Sequence, residues 1–565
     1  MGSSSRPLAA CCTLLLICAA SVYYSGDIPA PINPCSSSLG RALLAVTSID
    51  PYILSCGSSS SLSSSSSIGG PLATNLHTCV KATLPENALP PFYCCPPVPN
   101  SATVNFTLPD PAEPLRVRRP VHAVGAEYMA KYERLIAIMK ALPESHPHSF
   151  YQMANIHCAY CTGSYRQTGD PELFMQIHFS WFFFPFHRAY IYFFERIAAK
   201  LLGDPGFAVP FWSWDVPEGM RMPPEFDIPS SPLYDPIRNP NHSPPKLVDL
   251  LFAKPGIENN LTDDQQIQTN LQTMYKQSPL VQMIGNAALP TLFHGQPFRA
   301  GQTDMPGAGT VEQSPHNTMH TWVGNATKTS FENMGTYYSA GRDPLFYVHH
   351  NNLDRLWDAW RGFPGHADFT DPDWLDSSFL FYDEEARLVR ITVRDVLDID
   401  KLRYKFEGVG MPWADAKPPV TPGVNTKKGS VKSVRFPVSL DTAAVTAQVM
   451  RPPIHRSLGE EEVLVVEGIQ SDGTQPVKFD VYINAMEYEK VEPGGRELAG
   501  TYVTLSHLRM DGSGKGKPIE TSMRVALSQL LKDLDAQEDQ SVTVTLVPRS
   551  GKVKIRSLRI AYITE

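Results

Sequence analysis

Two histidines lie one helical turn apart in the stretch SPHNTMHTWVG, residues 314–324. Serine is favoured as a helix N-cap and proline at the first helical position, so a helix is predicted to begin at Ser314 and Pro315. His316 and His320 then share one face of that helix and can hold one metal ion. The alternative is an ordinary helix with two surface histidines, and the motif alone does not decide between these interpretations.

Three further histidines lie upstream, at His157, His178 and His187. On one unbroken helix, His178 and His187 would face opposite sides. Pro185 is expected to break the run, which leaves His178 at the end of one segment and His187 in the first turn of the next. His157 is expected to come from the loop NIHCAYC. One histidine here would more often be a core residue, but three of them, matched by a later group, favour a site.

A sixth candidate, His350, completes a second group with His316 and His320. It is predicted to lie near the start of a helix, with Asp354 one turn further on. Because adjacent helix residues do not share a face, only one of His349 and His350 should point at the metal. Asp354 is expected either to support a ligand imidazole or to form a helix-surface salt bridge, and the sequence leaves both open.

Two sites of three neutral imidazoles suit copper or zinc. Zinc hydrolases usually add a carboxylate ligand or base, and no His-Glu-x-x-His sequence occurs in the chain. A ligand set without a fixed carboxylate favours a redox metal that cycles between Cu(I) and Cu(II). Spacing does not separate the two metals cleanly.

The composition indicates an ordinary globular protein with more than one domain. The 565 residues are 42% hydrophobic, and the net charge of −8 gives no electrostatic basis for nucleic-acid binding. All ten cysteines lie within the first 161 residues. This clustering is typical of disulfides in an oxidising compartment, with a cytosolic metal or redox site as the alternative.

The N-terminus has the features of a targeting segment. Residues 1–24 combine one early arginine with a short apolar run, which predicts a secretory signal rather than a membrane span. Residues 25–71 are expected to be a Ser-rich pro or transit region, in which 57–68 are nearly all serine or glycine and cannot build a core. Serine richness and the lack of acids before Asp27 also fit a plastid transit peptide. We expect a lumenal protein on the secretory route or in the vacuole, with the thylakoid lumen as the alternative.

Residues 72–407 are expected to form a mainly helical domain, with helices over 123–141, 262–277 and 343–363 and in the aromatic run 174–204. Histidines and an arginine inside that run favour burial in protein over stable membrane insertion. A Pro/Gly-rich linker follows at 408–430. Alternating apolar residues then predict a mostly β, sandwich-like domain over 431–565, interrupted by one helix at 521–534.

Several motifs together resemble the plant polyphenol oxidases of the tyrosinase and catechol oxidase family. They are HCAYC at 157–161, HFSWFFFPFHRAYIYFFE at 178–195, HNTMH at 316–320, DPLFYVHHNNLD at 343–354, DWL at 373–375 and KFDV at 478–481. The resemblance implies a copper domain built on a four-helix bundle over 72–407, with the DWL element at about 371–407. It also implies that 431–565 is a KFDV-type domain that shields the site.

Carried over residue by residue, the resemblance implies two copper ions with O2 as co-substrate. Copper A would bind His157, His178 and His187, and copper B would bind His316, His320 and His350, since the family uses the second histidine of the His-His pair. Cys161 matches the cysteine that forms a thioether with His178. The implied disulfides are Cys79–Cys95 and Cys94–Cys158, with a redox or zinc CxxC at Cys158 and Cys161 as the competing interpretation.

Four further positions match residues that tune the chemistry in the family. Glu312 matches a carboxylate that holds a water near the site, and with Asn317 it would help to deprotonate an incoming phenol. Tyr337 stands where the family usually has a gating phenylalanine, and simple core packing is the alternative role for it. Thr321 lies at a selectivity position.

The resemblance implies an enzyme, a latent polyphenol oxidase that converts catechols to o-quinones, with ortho-hydroxylation of monophenols left open. The expected partners are small phenols and a processing protease that cuts in the linker. Alternatives are a specialised-metabolism hydroxylase of the aurone or lignan type, and a dicopper O2 carrier.

Overall fold

The aromatic stretch around His187 forms one buried helix, Phe183–Leu202, which ends at Gly203 with φ of 64°. Pro185 is the third residue of this helix, where a missing backbone N–H is tolerated because first-turn amides have no intrahelical acceptor. The predicted break at Pro185 is therefore wrong. The helix begins two residues earlier, and His178 lies in a turn that precedes it. Among the helices of the described residues, none is long and apolar enough to cross a membrane.

The structure is a computed structural model that describes residues 69–257, 260–277, 289–303, 305–419, 421, 424, 434–453, 460–508 and 516–564. The predicted targeting segment 1–24 and most of the Ser-rich segment 25–71 lie outside the described residues. The α-helices in the described part are α1 Ala126–Ala141, α2 Phe150–Cys161, α3 Phe183–Leu202, α4 Asp263–Gln277, α5 Pro290–Phe293, α6 Asn317–Val323, α7 Leu345–Arg361, α8 Pro372–Leu375 and α9 Ser528–Asp533.

Helices α1, α2, α3 and α7 pack on one another, since α1 contacts α2 and α3, and α3 contacts α7. Small sheets border them. Their strands are β1 Val104–Asn105, β2 Arg116–Arg118, β3 Arg166–Gln167, β4 Asp170–Phe174, β5 Ser378–Tyr382, β6 Leu388–Thr392 and β7 Tyr404–Phe406. β1 runs parallel to β6, which pairs with β5, and β2 runs parallel to β7. The helical domain expected from the sequence is thus present.

The C-terminal part is built from two antiparallel sheets. Its strands are β8 Val438–Leu440, β9 Val445–Met450, β10 Glu461–Ser471, β11 Val477–Ile483, β12 Leu498–Thr504, β13 Ile519–Ala526, β14 Ser541–Ser550, β15 Val553–Ile555 and β16 Ser557–Ile563. One sheet has the order β13-β10-β15-β8 with β16 also on β10, and the other has the order β12-β11-β14-β9. One apolar core contains Leu464 of the first sheet and Phe479 of the second, so the sheets share a core as in a sandwich.

The prediction of a helix over 521–534 is wrong for the first half of that range. Residues up to Ala526 belong to β13, and only Ser528–Asp533 is helical. Burial alternates along β13, and Met523 and Val525 pair with Val466 and Leu464 of β10. The segment has apolar residues that suit both periods, and the neighbouring strand decides between them.

The predicted linker 408–430 is packed in its first part. Trp413, in the short 3-10 turn Pro412–Asp415, is fully buried and donates its indole N–H to Asp215 at 2.9 Å. Arg496 of the β domain donates to the carbonyl of Pro418 at 2.9 Å. The chain is therefore anchored as far as Pro418, and most of the region beyond Pro419 lies outside the described residues.

Candidate metal centre

The first histidine group forms a fully buried cluster. Ring nitrogens of His157, His178 and His187 all lie within 4.8 Å of one another. His187 lies on α3, and His178 lies in the turn before it. His157 lies on α2 and not in a loop as expected, since Ser149 caps this helix by accepting from the backbone N–H of Gln152.

The second group contains four histidines rather than three. Ring nitrogens of His316, His320, His349 and His350 lie within 4.8 Å of one another. The expectation that only one of His349 and His350 points at the metal stays a prediction, although a ring nitrogen of each belongs to this cluster. Adjacent helix residues diverge by about 100°, and one ring nitrogen of each of these two histidines nevertheless lies in the cluster. The Nε2 atoms of His320 and His350 are 3.3 Å apart.

The first two histidines of this group follow a kink. Ser314 has extended dihedrals inside the turn Glu312–His316, and α6 continues from Asn317. The helix therefore starts after Ser314, near the predicted position. The two clusters adjoin each other, because the rings of His187 and His350 stack with centroids 4.1 Å apart.

Four of the histidines are oriented by backbone carbonyls through Nδ1. The contacts are His157 to Tyr337 at 2.8 Å, His187 to Phe183 at 2.7 Å, His316 to Glu312 at 3.2 Å and His320 to Met334 at 2.6 Å. A carbonyl only accepts, so Nδ1 carries the hydrogen and Nε2 keeps its lone pair. The Nε2 atoms of His157, His187 and His316 have no hydrogen-bond partner among the described residues. Buried lone pairs left this way are what a metal ion would satisfy.

Burial keeps these rings neutral. It lowers the pKa of His157 to about 3 and the pKa of His320 to about 4. The pKa of His178, His187, His316 and His350 is lowered well below the usual value, by burial first and by the neighbouring imidazoles second. Neutral imidazole is the form that binds copper or zinc, so the donor set fits a pair of such ions.

Glu312 lies beside the centre with one oxygen in use. Its Oε1 accepts from the backbone N–H of Phe179 at 2.7 Å, while Oε2 has no partner among the described residues. Burial raises the pKa of Glu312 well above the usual value, and the hydrogen bond from Phe179 acts in the opposite direction. Glu312 is thus a buried carboxyl with one oxygen free for a proton.

Asn317 and Thr321 both lie on α6. The Asn317 side chain donates to the carbonyl of Val503 in β12 at 2.8 Å, and its Oδ1 has no partner in the described structure. The Thr321 hydroxyl donates to the helix carbonyl of Thr318 at 2.9 Å, which directs it back to its own helix. Asn317 therefore faces the β domain, whereas Thr321 is occupied locally.

Tyr337 covers the first cluster. Its ring lies over His178 with centroids 4.2 Å apart, and it also contacts His507 of the β domain with centroids 5.4 Å apart. Burial raises the pKa of Tyr337 well above its usual value, Glu312 adds to this, and the nearby Thr504 hydroxyl lowers it. The Tyr337 hydroxyl nevertheless makes no hydrogen bond with any described residue. Tyr337 thus packs between the histidines and the β domain.

Asp354 belongs to a buried ion network rather than a surface salt bridge. Its oxygens bind Arg188 at 2.5 Å and Arg118 at 2.7 Å, and they accept from the Tyr404 hydroxyl at 2.7 Å. The Arg118 guanidinium also lies 3.6 Å from the centre of the Tyr404 ring. Among the described contacts, the carboxylate is used by these three groups and not by a ligand imidazole.

Two disulfides form as the resemblance implies, Cys79–Cys95 and Cys94–Cys158. Cys158 lies on α2, one position after His157, so the second bridge ties the helix of a site histidine to the N-terminal segment. A redox or metal pair of Cys158 with Cys161 is therefore not what the structure shows. Cys161 is a buried thiol whose pKa is raised by burial. The thioether to His178 stays a prediction.

Sequence reasoning missed the residues that the β domain brings to the centre. His507 lies 3.4 Å from the amide nitrogen of Gln176, two residues before His178. The Val503 N–H donates to the side chain of Gln313 at 3.1 Å. The sequence predicted TYVTLSHL as a strand, but a strand prediction does not identify the residues that the end of the strand contacts. Trp214, which donates to His349, was missed for the same reason.

Comparison with known proteins decides the family. The common central domain of tyrosinase matches residues 147–362, the polyphenol oxidase middle domain matches 368–419, and the chloroplastic polyphenol oxidase C-terminal domain matches 436–562. A chloroplastic polyphenol oxidase of Malus domestica is 44% identical over 509 residues, 86% of this chain and 83% of that protein. The chain belongs to the plant polyphenol oxidases of the tyrosinase family.

Two other plant relatives agree with this polyphenol oxidase assignment. Aureusidin synthase of Antirrhinum majus is 44% identical over 517 residues, 88% of this chain and 89% of that protein. The structure of latent apple tyrosinase superimposes with a TM-score of 0.76 at 44% identity, covering 82% of this chain and 100% of the apple chain. The polyphenol oxidase is thus an enzyme with a helical domain followed by a β domain.

Proposed function

We propose that this polyphenol oxidase uses O2 to oxidise o-diphenols to o-quinones at two copper ions. The observation that carries the proposal is the pair of adjoining, neutral histidine clusters with unpartnered Nε2 atoms. His157, His178 and His187 would hold copper A, and His316, His320 and His350 would hold copper B. Helices α2, α3, α6 and α7 carry four of these six residues and are, in this proposal, the four-helix bundle of the family.

The copper pair, when bound, would supply the electron transfer that couples oxidation of two diphenols to reduction of one O2 to two water molecules. The chain itself supplies position and proton acceptors. Glu312 Oε2 and Asn317 Oδ1 are buried acceptors without partners in the described part of the chain. They would take or guide the proton that a phenol or a bound water loses. Tyr337 closes the side of His178 and keeps water out.

His178 is restrained differently from the other ligands. Neither of its ring nitrogens has a hydrogen-bond partner among the described residues, whereas four other site histidines donate to carbonyls. A covalent thioether from Cys161 would fix this ring. Cys161 lies at the end of α2, one turn after His157, and is buried.

The chain would be made as a latent proenzyme, because the β domain contacts the site. Val503 binds the side chains of Gln313 and Asn317, and His507 lies against Tyr337. Two lysines, one from each domain, add hydrogen bonds to this contact. Lys478 of KFDV donates to the carbonyl of Phe252 at 3.0 Å, and Lys276 of α4 donates to that of Gly494 at 2.9 Å.

Release would require a protease, and the linker beyond Pro418 is the expected target. Trp413 anchors the first part of 408–430 to the helical domain through Asp215. A cut after this anchor would leave the helical domain intact and free the domain that starts near 431. The domain boundaries 72–407, 408–430 and 431–565 are proposed on this basis.

The phenol that is used remains a separate question from the reaction. The relative named aureusidin synthase makes an aurone-type hydroxylase the second candidate, and a lignan-type hydroxylase is a further variant of it. These candidates require hydroxylation as well as oxidation of the ring. An O2 carrier, the remaining alternative, gains no support from relatives that are named as enzymes.

The relatives favour a plastid location. The apple protein is named chloroplastic, and the matching C-terminal domain carries the same description. The preference for the secretory route or vacuole, and the lumenal assignment, gain no support and are replaced by plastid targeting. A fluorescent fusion of residues 1–75 would test this, since export of the fusion from the cell would contradict it.

The function itself is tested by a copper count on the purified full chain, paired with O2 uptake on 4-methylcatechol and tyramine before and after limited proteolysis. Two coppers per chain and catechol turnover that rises on cleavage are expected. The tyramine rate then separates an oxidase from a hydroxylase. Two coppers without turnover of either phenol after cleavage would contradict the oxidase, and absence of copper would contradict the whole proposal.

A further inference from the structure

The fourth histidine of the second cluster, His349, makes a hydrogen bond unlike those of its neighbours. The indole Nε1–H of Trp214 donates to its Nδ1 at 3.0 Å, and both side chains are fully buried. An indole N–H can only donate, so Nδ1 of His349 must be the acceptor and carries no hydrogen. In a neutral imidazole the single hydrogen is then on Nε2.

This arrangement is the opposite of the one found at the proposed ligands. His316 and His320 direct Nδ1–H at backbone carbonyls, which leaves a lone pair on Nε2 for a metal. In His349 the hydrogen is instead on Nε2, because Trp214 occupies Nδ1, and Nε2 has no hydrogen-bond partner among the described residues. A protonated nitrogen cannot coordinate a metal.

The distance alone would allow His349 to coordinate. Its ring nitrogen lies within 4.8 Å of those of the other three histidines, and its ring is stacked on His316 with centroids 5.5 Å apart. A fourth imidazole would complete a tetrahedral set of the kind found in structural sites. Catalytic sites keep three protein ligands and an open position for the substrate.

We propose that Trp214 is a positioning residue that keeps the second copper site at three histidines. By donating to His349 Nδ1, it holds this ring in the tautomer that cannot ligate, and so preserves the open position. The inference rests on the proposed function, because it assumes copper in the cluster. It adds the residue that decides which of four reachable histidines are ligands.

The test is the substitution Trp214→Phe in the full chain, with Trp212→Phe as the matched control. Phenylalanine removes the indole N–H and keeps most of the buried volume. Trp212 is equally buried, but it donates to the carbonyls of Gly219 and Arg221 at 2.9 and 2.8 Å and to no histidine. Copper content and copper affinity, by competition with a chelator, are measured together with catechol turnover after proteolysis.

In Trp214→Phe, His349 is free to move its hydrogen to Nδ1 and to use Nε2 as a fourth ligand. We expect about tenfold tighter copper retention and at least about tenfold slower catechol turnover, in the range of effects seen when partners of metal ligands are changed. The control should keep wild-type values for both. The double variant Trp214→Phe/His349→Leu should recover turnover, because it removes the intruding ligand and leaves no unpaired group.

His349→Leu alone should keep two coppers per chain. Loss of one copper in that variant would overturn the inference, since it would make His349 a ligand. A Trp214→Phe protein that loses turnover without tighter copper retention, and is not rescued in the double variant, would also overturn it, because Trp214 would then be structural only. If the wild-type chain holds no copper, the proposed function fails instead.

Discussion

The imidazole of His507 lies edge-on against the ring of Tyr337, with centroids 5.4 Å apart and planes at 84°. His507 belongs to the β domain, and Tyr337 covers the His178 side of the metal centre. The same Tyr337 supplies the carbonyl that orients His157. The contact therefore joins the covering domain to a residue that both shapes the site and positions a ligand.

His507→Ala should raise the activity of the uncut chain. The substitution removes the ring that lies against Tyr337 and beside Gln176, which weakens closure by about 1–2 kcal/mol and increases the open fraction by about five- to thirtyfold. Catechol oxidation by uncut protein is the measurement. The cut enzyme serves as the control, because it lacks the altered domain and should not change. If the uncut variant is as inactive as the uncut wild type, His507 does not contribute to latency.

His350→Ala should abolish catechol oxidation and lower the copper content while leaving the fold largely intact. Nε2 of His350 lies 3.3 Å from Nε2 of His320, so the substitution removes one of the proposed copper ligands of the second cluster. Unfolding is compared by thermal melts with and without copper. The metal-free melting temperatures of variant and wild type should be similar, whereas the increase on copper addition should shrink. Complete unfolding of the variant would contradict this separation of site and fold.

The sequence predicted those features that depend on local spacing. His316 and His320 are one turn apart in any helix, and the β domain follows from alternation along its strands. Features that depend on distant partners were not predictable. Trp214 meets His349 across 135 positions, and His507 meets Gln176 across 331. No local pattern encodes such pairs.

Errors in the predicted elements have the same origin. The apolar residues of TSMRVALSQLLKDL suit a helix, but the pairing of Met523 and Val525 with β10 makes the first half of this segment a strand. His157 was expected in the loop NIHCAYC, yet this segment belongs to the helix that Ser149 caps and that ends at Cys161. In both cases the packed neighbour or cap, and not the intrinsic preference, decides the structure.

The metal-free protein should lose stability as the pH falls below about 6.5. The pKa is about 3 for His157 and about 4 for His320 in the folded chain, so both stay neutral while the unfolded chain takes up protons. Stability is therefore complete above the unfolded value and declines down to these folded values. At pH 5.5 the two rings together lower the free energy of unfolding by about 3 kcal/mol.

Four carboxyls oppose this trend. Burial raises the pKa of Asp235 to about 6 and also raises the pKa of Asp249, Glu312 and Asp358, so all four favour the folded state as the pH falls toward their unfolded values. The neutral histidines of the two clusters outnumber them, so the net change is destabilising. Urea unfolding of metal-free protein at pH 7.5 and 5.5 measures it. Equal or higher stability at pH 5.5 would mean that the buried rings are protonated in the folded chain.

A thioether between Cys161 and His178 should be detectable by mass. After reduction of the disulfides, the peptide pair that carries these two residues should remain joined and should lack two hydrogens relative to the free peptides. Copper and O2 exposure should increase its yield. Cys161→Ser should abolish the linked species and leave the two disulfides in place. Two separate peptides in the copper-loaded, active protein would contradict the link.

Asp354→Asn should destabilise the fold without removing copper. The carboxylate binds Arg188 and Arg118, and all three side chains are buried. The amide would remove the counter-charge of Arg188 and leave Arg118 with Glu195 alone. Breaking such a buried pair costs about 3–5 kcal/mol. Urea unfolding of the metal-free variant measures this cost, and the copper count at a temperature where the variant is folded measures the second part. Arg394→Gln is the control, because its pair with Asp376 is more than half exposed and should cost under about 1 kcal/mol. A stable Asp354→Asn protein that had lost copper would instead place this carboxylate in support of a ligand histidine.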